Sequence, residues 1–242
     1  MFISLNNGCN IPAEKLPFEL FGLCLQEPMA WVTNWIIAAT AFFLYFRFKP
    51  VENTFQKHWK LFYLYFGLST FFSAFGHVFF MYFGVYGKYP TWILGMIAAY
   101  HVGTAMISLN ILPSRVKRTF KYILSTKLIV LMVIAIVMKN FVFVMADATL
   151  TYLFFCLGLG IHYWRKGIQS FKYTVIAVLI LFPSIFIFTL QFNPHVWFNK
   201  DDLSHVLMAM TIVFFYLGVS RLNEIELERI LSLNKFKYVG KQ

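Results

Sequence analysis

Long apolar runs, separated by short polar segments, recur along nearly the whole chain. A helix needs roughly 20 apolar residues to cross the hydrocarbon core of a bilayer, and seven runs have about that length. The pattern therefore predicts an all-α fold, that of a polytopic membrane protein built as a seven-transmembrane helix bundle. The expected spans begin near Met29, Leu61, Thr91, Tyr122, Phe141, Tyr173 and Leu203.

Two charged residues interrupt this pattern, Lys127 in the fourth run and Asp147 in the fifth. We expect the long Lys127 side chain to extend toward the nearer interface, while its methylenes stay in the apolar layer. Asp147 is an isolated acid that either accepts a proton in a functional site or begins its helix. Because the loops are short, the whole chain is predicted to form one helical unit.

The expected organisation has three parts. Residues 1–28 contain three prolines and form an outer N-terminal segment, in which Cys9 and Cys24 could pair if that face is oxidising. Residues 29–221 form the seven-helix transmembrane domain. Residues 222–242 alternate acids and leucines, a pattern that predicts an amphipathic cytoplasmic helix.

Composition supports this assignment, since 60% of residues are hydrophobic and only 13% are charged. The net charge of +11 does not indicate nucleic acid, because most basic residues cluster in the odd-numbered loops and the tail. The even-numbered loops hold only Lys88, Lys139 and Lys200. By the positive-inside rule, the N-terminus lies outside and the C-terminus in the cytoplasm. We expect a multi-pass integral membrane protein, in the cell membrane if the source is bacterial.

Five polar residues stand at matching depth near the outer ends of two spans. Ser73 and His77 project from one face of the second helix, and Asp201 and Asp202 precede His205 by one turn in the seventh. Ionisable groups at membrane depth usually face a cavity or a partner, so these residues mark a candidate site. His77, His205 and Asp201 could bind zinc, with Asp202 as a base and Ser73 near the reacting group.

Structural alternatives exist for each of these residues. Ser69, Ser73 and Gly76 form a stripe of small residues that suits close helix packing in a membrane. Asp201 and Asp202 could cap the seventh helix. His101, in the middle of the third span, could lie in the second shell of the site, as could Asp147, or form an interhelical hydrogen bond.

The segments Ser73-Ala74-Phe75-Gly76-His77 and Asp201-Asp202-Leu203-Ser204-His205 resemble the histidine motifs of the CREST superfamily, which includes the alkaline ceramidases and the progestin and adiponectin receptors. Members have seven helices and a zinc ion held by three histidines. The resemblance implies that His77 and His205 bind zinc and that Ser73 contacts the water at zinc. Two positions depart from the pattern, because Asp201 stands where the family has a histidine and residues 88–90 lack the family's aspartate.

These observations lead to three hypotheses. The first is a zinc-dependent intramembrane hydrolase of a lipid-like amide or ester, in which zinc activates a water molecule. The second is a haem-binding electron-transfer protein with His77 and His205 as axial ligands. The third is a non-catalytic seven-helix receptor or scaffold. A lipid or lipid-like molecule and the membrane are the expected partners, and protein partners are not indicated.

Overall fold

The computed structural model describes residues 17–48, 53–109, 113–222, 225–226 and 228–230. A short antiparallel hairpin precedes a helical bundle, and Pro17 pairs with Gln26 at its open end. The elements are β1 (Pro17–Leu20), β2 (Leu23–Gln26), α1 (Pro28–Arg47), α2 (Thr54–Val78), α3 (Phe80–Phe83), a 3-10 helix (Gly84–Lys88), α4 (Tyr89–Leu109), α5 (Ser114–Val137), α6 (Val142–Thr151), a π-helix (Tyr152–Gly158), α7 (Leu159–Arg165), α8 (Phe171–Leu181), α9 (Pro183–Thr189) and α10 (Lys200–Arg221).

Within these ranges, seven helical segments are long and apolar enough to cross a membrane, which agrees with the predicted helical membrane protein. They are Pro28–Arg47, Thr54–Val78, Phe80–Leu109, Ser114–Val137, Val142–Arg165, Phe171–Thr189 and Lys200–Arg221.

Four spans begin within about three residues of the predicted positions, but the second, third and fourth begin earlier. The second begins at Thr54 because Asn53 caps it, with its side chain accepting a hydrogen bond from the Gln56 N–H. The third is lengthened by α3 and the 3-10 helix, which hydropathy alone does not separate from a loop. Hydropathy therefore located the apolar centre of each span better than its ends.

The helices close into a ring. Each of α1, α2, α4, the π-helix, α8 and α10 packs against the next, and α10 returns to α1. The fourth span, α5, packs against α4 and α6 at the edge of the ring, and most of its apolar side chains are exposed. Exposed apolar surface of this kind suits contact with lipid.

One end of the bundle collects the hairpin, the 3-10 helix, the α5–α6 turn and the α9–α10 loop, and we call it the site end. The Cys24 N–H donates to the Tyr82 hydroxyl at 3.0 Å, which attaches the hairpin to α3. Cys24 is disulfide-bonded; Cys9, its suggested partner, lies outside the described residues.

Close helix packing also shapes the site end. The Ser69 hydroxyl donates to the Thr91 carbonyl at 2.8 Å and joins α2 to α4. A Cβ at Gly76 would lie 2.8 Å from the Gly87 carbonyl oxygen, so only glycine permits this approach of the 3-10 helix to α2. Ser69 and Gly76 thus take part in helix packing, which was the alternative interpretation of the stripe of small residues.

The opposite half of the bundle is filled by aromatic side chains. Trp59, Phe62, Tyr63 and Phe215 are completely or almost completely buried and pack edge to face or tilted against one another. Beyond the bundle, residues 225–226 and 228–230 of the predicted tail helix are helical, and Ile230 is buried. Residues 223–224, 227 and 231–242 of that tail, and residues 1–16 of the N-terminal segment, lie outside the described part of the chain.

Candidate metal centre

Three ionisable side chains meet at the site end, each at the terminus of a helix. Glu27 is the residue before α1, His77 is the penultimate residue of α2, and Asp201 lies in the first turn of α10. Glu27 adopts a left-handed backbone conformation (φ 55°, ψ 58°), which is uncommon for a residue other than glycine. Strain of this kind concentrates at functional sites, where the surrounding structure holds it in place.

The three side chains form a group that could hold a metal ion. His77 Nδ1 lies 2.8 Å from Glu27 Oε2, and one ligand atom from each of Glu27, His77 and Asp201 lies within 4.8 Å of the others. Glu27 and His77 are buried and Asp201 is half-buried. We call these three residues the candidate metal cluster.

Sequence reasoning selected His77 and Asp201 for this site but not Glu27. The available signal was an acid directly before a proline at the first position of α1, at the same end of the bundle as His77. Its convergence with His77 depends on the left-handed turn at Glu27, which links the hairpin to α1, and a sequence pattern does not reveal that turn.

His205 lies beside the cluster, with its ring centroid 6.1 Å from that of His77. Its Nδ1 is 2.7 Å from Thr33 Oγ1, and Thr33 donates its hydroxyl hydrogen to the Met29 carbonyl at 2.9 Å. With Thr33 as the donor to Met29, its oxygen accepts from His205 Nδ1, whereas in the other tautomer of His205 the ring nitrogen accepts from Thr33. The second ring nitrogen, Nε2, lies 3.4 Å from Asn34 Nδ2.

Asp202 serves as a helix cap. Asn199 is the N-cap of α10, and its side chain accepts hydrogen bonds from the N–H groups of Asp201 and Asp202. In return, Asp202 Oδ2 accepts from the Asn199 N–H at 2.9 Å, which completes a capping box. A helix cap and a metal site were the two interpretations of these neighbouring aspartates. Asp202 is in the cap, and Asp201 is in the candidate metal cluster.

A cavity of about 580 Å³ adjoins these residues, within the range typical of small-molecule sites. Ser73, His77, Asp201 and His205 line it together with Asn34. The wall farther from the site end is apolar and ends at Phe62 and Phe215. At the mouth, a hydrogen bond to Tyr86 raises the pKa of Lys139 above its ordinary value. The cavity therefore joins a polar end to an apolar interior.

Asp147 does not join this site. It pairs with Lys127, whose Nζ also donates to Thr151 Oγ1 at 2.8 Å. The expectation that Lys127 extends to the interface was wrong, because a buried carboxylate in the neighbouring span holds it. Asp147 is likewise not isolated. We call Lys127, Asp147 and Thr151 the ion-pair cluster, and none of the three lines the cavity.

His101 also lies away from the candidate metal cluster. Its Nδ1 is 2.9 Å from His58 Nδ1, and its ring stacks on Tyr65 with centroids 5.2 Å apart. This contact agrees with the interhelical hydrogen bond that was one alternative for His101. His58 reaches it because α2 begins at Thr54, about two turns before the start that the hydropathy pattern indicates.

One family model matches the chain, over residues 29–224, and it describes a family of unknown function, DUF6962. The match extends across all seven spans. No curated protein and no solved structure matches the chain.

Proposed function

The chain belongs to DUF6962, a family of unknown function, and we propose that it is a membrane-embedded, metal-dependent hydrolase of a lipid-like amide or ester. The observation that carries this proposal is the convergence of Glu27, His77 and Asp201 beside a cavity with an apolar interior. Ionisable groups are costly at membrane depth, and a metal-binding or catalytic role is the usual reason for their presence.

The donor set suits zinc. Imidazole nitrogen and carboxylate oxygen are common zinc ligands, and catalytic zinc sites usually combine three protein ligands with one open position. Tetrahedral zinc with bonds of about 2.0–2.1 Å places its donors about 3.3 Å apart. The donors of the candidate metal cluster lie within 4.8 Å of one another, so small side-chain movements bring them to this spacing.

This ligand set differs from the one expected from the sequence. Glu27 takes the place assigned to His205, because His205 is held by Thr33 and Asn34. Asp202 is not proposed as the base, because both its backbone and its carboxylate are engaged in the capping box of α10. His77 and Asp201 keep their proposed roles as metal ligands.

A zinc ion at the cluster would lower the pKa of a bound water toward ~7 and polarise a carbonyl group. His205 Nε2 is the proposed proton acceptor, which requires the tautomer with its proton on Nδ1, and the Thr33 hydroxyl beside Nδ1 fixes the orientation of the ring. Ser73 lines the cavity and is the proposed donor to the developing oxyanion. Ser73 lies one turn before His77 on the same face of α2.

The orientation that follows from the charge distribution places the site end outside. The basic residues of the odd-numbered loops lie at the opposite end of the bundle, which the positive-inside rule assigns to the cytoplasm. A substrate would then come from the outer leaflet.

The first test is metal analysis of the purified full-length protein by mass spectrometry, together with a visible spectrum. We expect near-stoichiometric zinc in the wild type and its loss in Glu27→Gln, His77→Ala and Asp201→Asn. His101→Ala is the matched control, because it removes a membrane-depth histidine outside the candidate metal cluster. A haem band would support the electron-transfer hypothesis, and the absence of both metal and haem would support a receptor or scaffold.

The second test is hydrolysis of a panel of lipid amides and esters by the metal-loaded protein. We expect activity in the wild type, a large loss in Ser73→Ala and His205→Gln, and retention of zinc in both variants. Activity unchanged by both substitutions would contradict the roles proposed for these two residues.

A further inference from the structure

The basic residues of the even-numbered loops share one location in the fold. Lys88, Lys139 and Lys200 come from three separate segments, the 3-10 helix, the α5–α6 turn and the start of α10, and all three line the cavity. Lysine is disfavoured in loops on the outer side of a membrane, where the charge bias places this end. The three lysines are exceptions to this rule and meet at a single cavity, which indicates a role in binding.

Each of these ammonium groups lies near an aromatic ring, and two of the rings, Phe80 and Phe188, line the cavity. Lys88 Nζ lies 5.3 Å from the centroid of the Phe80 ring, and Lys200 Nζ lies 5.8 Å from that of Phe188. Lys139 Nζ lies 4.8 Å from the Tyr86 ring centroid and donates to its hydroxyl at 2.9 Å. A lysine carries three donors, and the hydrogen bond from Lys139 to Tyr86 uses one of them.

The balance of charge around the cavity is positive. Among the described residues that line it, the charged ones are Lys88, Lys139, Lys200 and Asp201. Two further hydroxyls, those of Thr91 and Ser204, line the cavity and make no hydrogen bond within the described part of the chain. Buried hydroxyls without partners are rare in proteins, and a bound molecule often completes them.

Beyond the polar end, the cavity continues along apolar side chains. Val178, Leu181, Met208 and Ile212 line it on the side of α8 and α10, and its far end reaches Phe215. The cavity is thus cationic and polar at one end and apolar at the other, a distribution complementary to a negatively charged amphiphile.

We propose that the cavity binds an amphiphile whose polar end carries an anionic group, a phosphate, sulfate or carboxylate. The anionic group contacts Lys88, Lys139 and Lys200, and the alkyl part lies against the apolar wall. The proposal names the substrate class of the hydrolase proposed above and to that extent rests on it. Binding itself needs only the lysines and the cavity, so it can be measured without turnover.

The test is a calorimetric titration of the full-length protein in phosphatidylcholine nanodiscs, after removal of metal with EDTA. The probes are decyl phosphate, decyl maltoside and decyl trimethylammonium, which share one alkyl chain and differ in the charge of the head group, and empty nanodiscs correct for partition into lipid. We expect decyl phosphate to bind more tightly than the other two. The triple variant Lys88→Gln, Lys139→Gln, Lys200→Gln should weaken its binding by about tenfold or more, because charge-assisted hydrogen bonds are lost.

The matched control removes three lysines at the opposite end of the bundle, Lys57→Gln, Lys166→Gln and Lys172→Gln, and so makes the same change in net charge. It should leave decyl phosphate binding unchanged. Equal affinity for the phosphate and the maltoside, or an equal loss in both triple variants, would overturn the proposal.

The two proposals can fail separately. Selective binding of decyl phosphate by a protein that contains no metal and shows no hydrolysis would refute the hydrolase and keep the anionic amphiphile. Zinc-dependent hydrolysis of neutral lipids only, with no preference for decyl phosphate, would keep the hydrolase and refute the anionic amphiphile. Inorganic phosphate, which has no alkyl tail, is titrated in the same way. Its binding distinguishes a lipid from a free phosphate as the source of the anion.

Discussion

The ion-pair cluster lies within two spans and the candidate metal cluster lies at the ends of three, and they differ in what surrounds them. In the ion-pair cluster, Lys127 contacts the Asp147 carboxylate and the Thr151 hydroxyl, and Thr151 in turn donates to the Asp147 carbonyl at 2.9 Å. In the candidate metal cluster, two carboxylates and one imidazole gather beside a cavity of about 580 Å³. The first group pairs an acid with a lysine, whereas the second combines two acids with a histidine.

This difference distinguishes polar side chains that stabilise the helix bundle from polar side chains that bind or react with a ligand. A paired charge inside a helix bundle is compensated, and removal of one partner leaves the other exposed to an apolar environment. A group of acids and a histidine with access to a cavity is instead suited to a cation or a reacting molecule. Four sets of variants test this contrast.

The largest expected effect is a loss of activity when a residue of the candidate metal cluster is replaced. His77→Ala should abolish metal binding and reduce hydrolysis by about 10³-fold or more, because the metal contributes several kcal/mol to the transition state. Thermal unfolding in detergent should change little by comparison. A loss of stability as large as that of an Asp147 variant would instead show that His77 has mainly a structural role.

The ion-pair cluster should respond in the opposite way. Asp147→Ala should lower the free energy of unfolding by about 3–5 kcal/mol, because it leaves Lys127 without its charged partner. Zinc content per folded molecule should not change. The double variant Lys127→Met, Asp147→Leu should recover most of the stability, since apolar residues of similar size remove both buried charges. Failure of the double variant to recover would contradict a purely structural role for this pair.

A smaller effect is expected where backbone packing shapes the cavity mouth. Gly76→Ala places a Cβ 2.8 Å from the Gly87 carbonyl oxygen and should displace the 3-10 helix that carries Lys88, at a cost of about 1–3 kcal/mol. Gly158→Ala is the control, because a Cβ at Gly158 would lie 3.5 Å from the Leu153 carbonyl oxygen, an ordinary van der Waals distance. Thermal unfolding of both variants provides the comparison.

The smallest effect separates two adjacent aspartates. Asp202→Asn weakens the capping box and should lower stability by about 1 kcal/mol while zinc content stays at the wild-type level. Asp201→Asn should do the reverse, with little change in stability and a clear loss of zinc. Loss of zinc in both variants would place Asp202 in the metal site and contradict the division of roles.

The sequence predicted the helices well because a membrane span is a local property. Length and hydropathy suffice to detect an apolar run such as Val142–Arg165, even when it contains Asp147. The helix caps were harder to predict: Asn53 caps α2, which begins at Thr54, seven residues before the predicted start of the span. Hydropathy does not register a capping residue, because the polar first turn lies outside the apolar layer.

The site was only partly predictable because it depends on tertiary contacts. Matching depth correctly suggested that His77 and the start of the seventh helix lie close together, and His77 and Asp201 meet there. It could not reveal that Thr33 and Asn34 of α1 hold His205, or that Lys127 faces Asp147. Those contacts depend on which face each helix turns toward its neighbour, and nearly uniform apolar sequences carry little information about it.

The aromatic floor of the cavity has a consequence for selectivity. Phe62 and Phe215 close it from below, and Trp59 packs behind both rings at centroid distances of 5.5 and 5.2 Å. A protein interior this densely packed does not yield easily to an extra methylene group. Along α10, the distance from Asp201 to Phe215 is about 21 Å at 1.5 Å per residue. For the amphiphile proposed above, this distance would set the length of alkyl chain that the cavity holds in full.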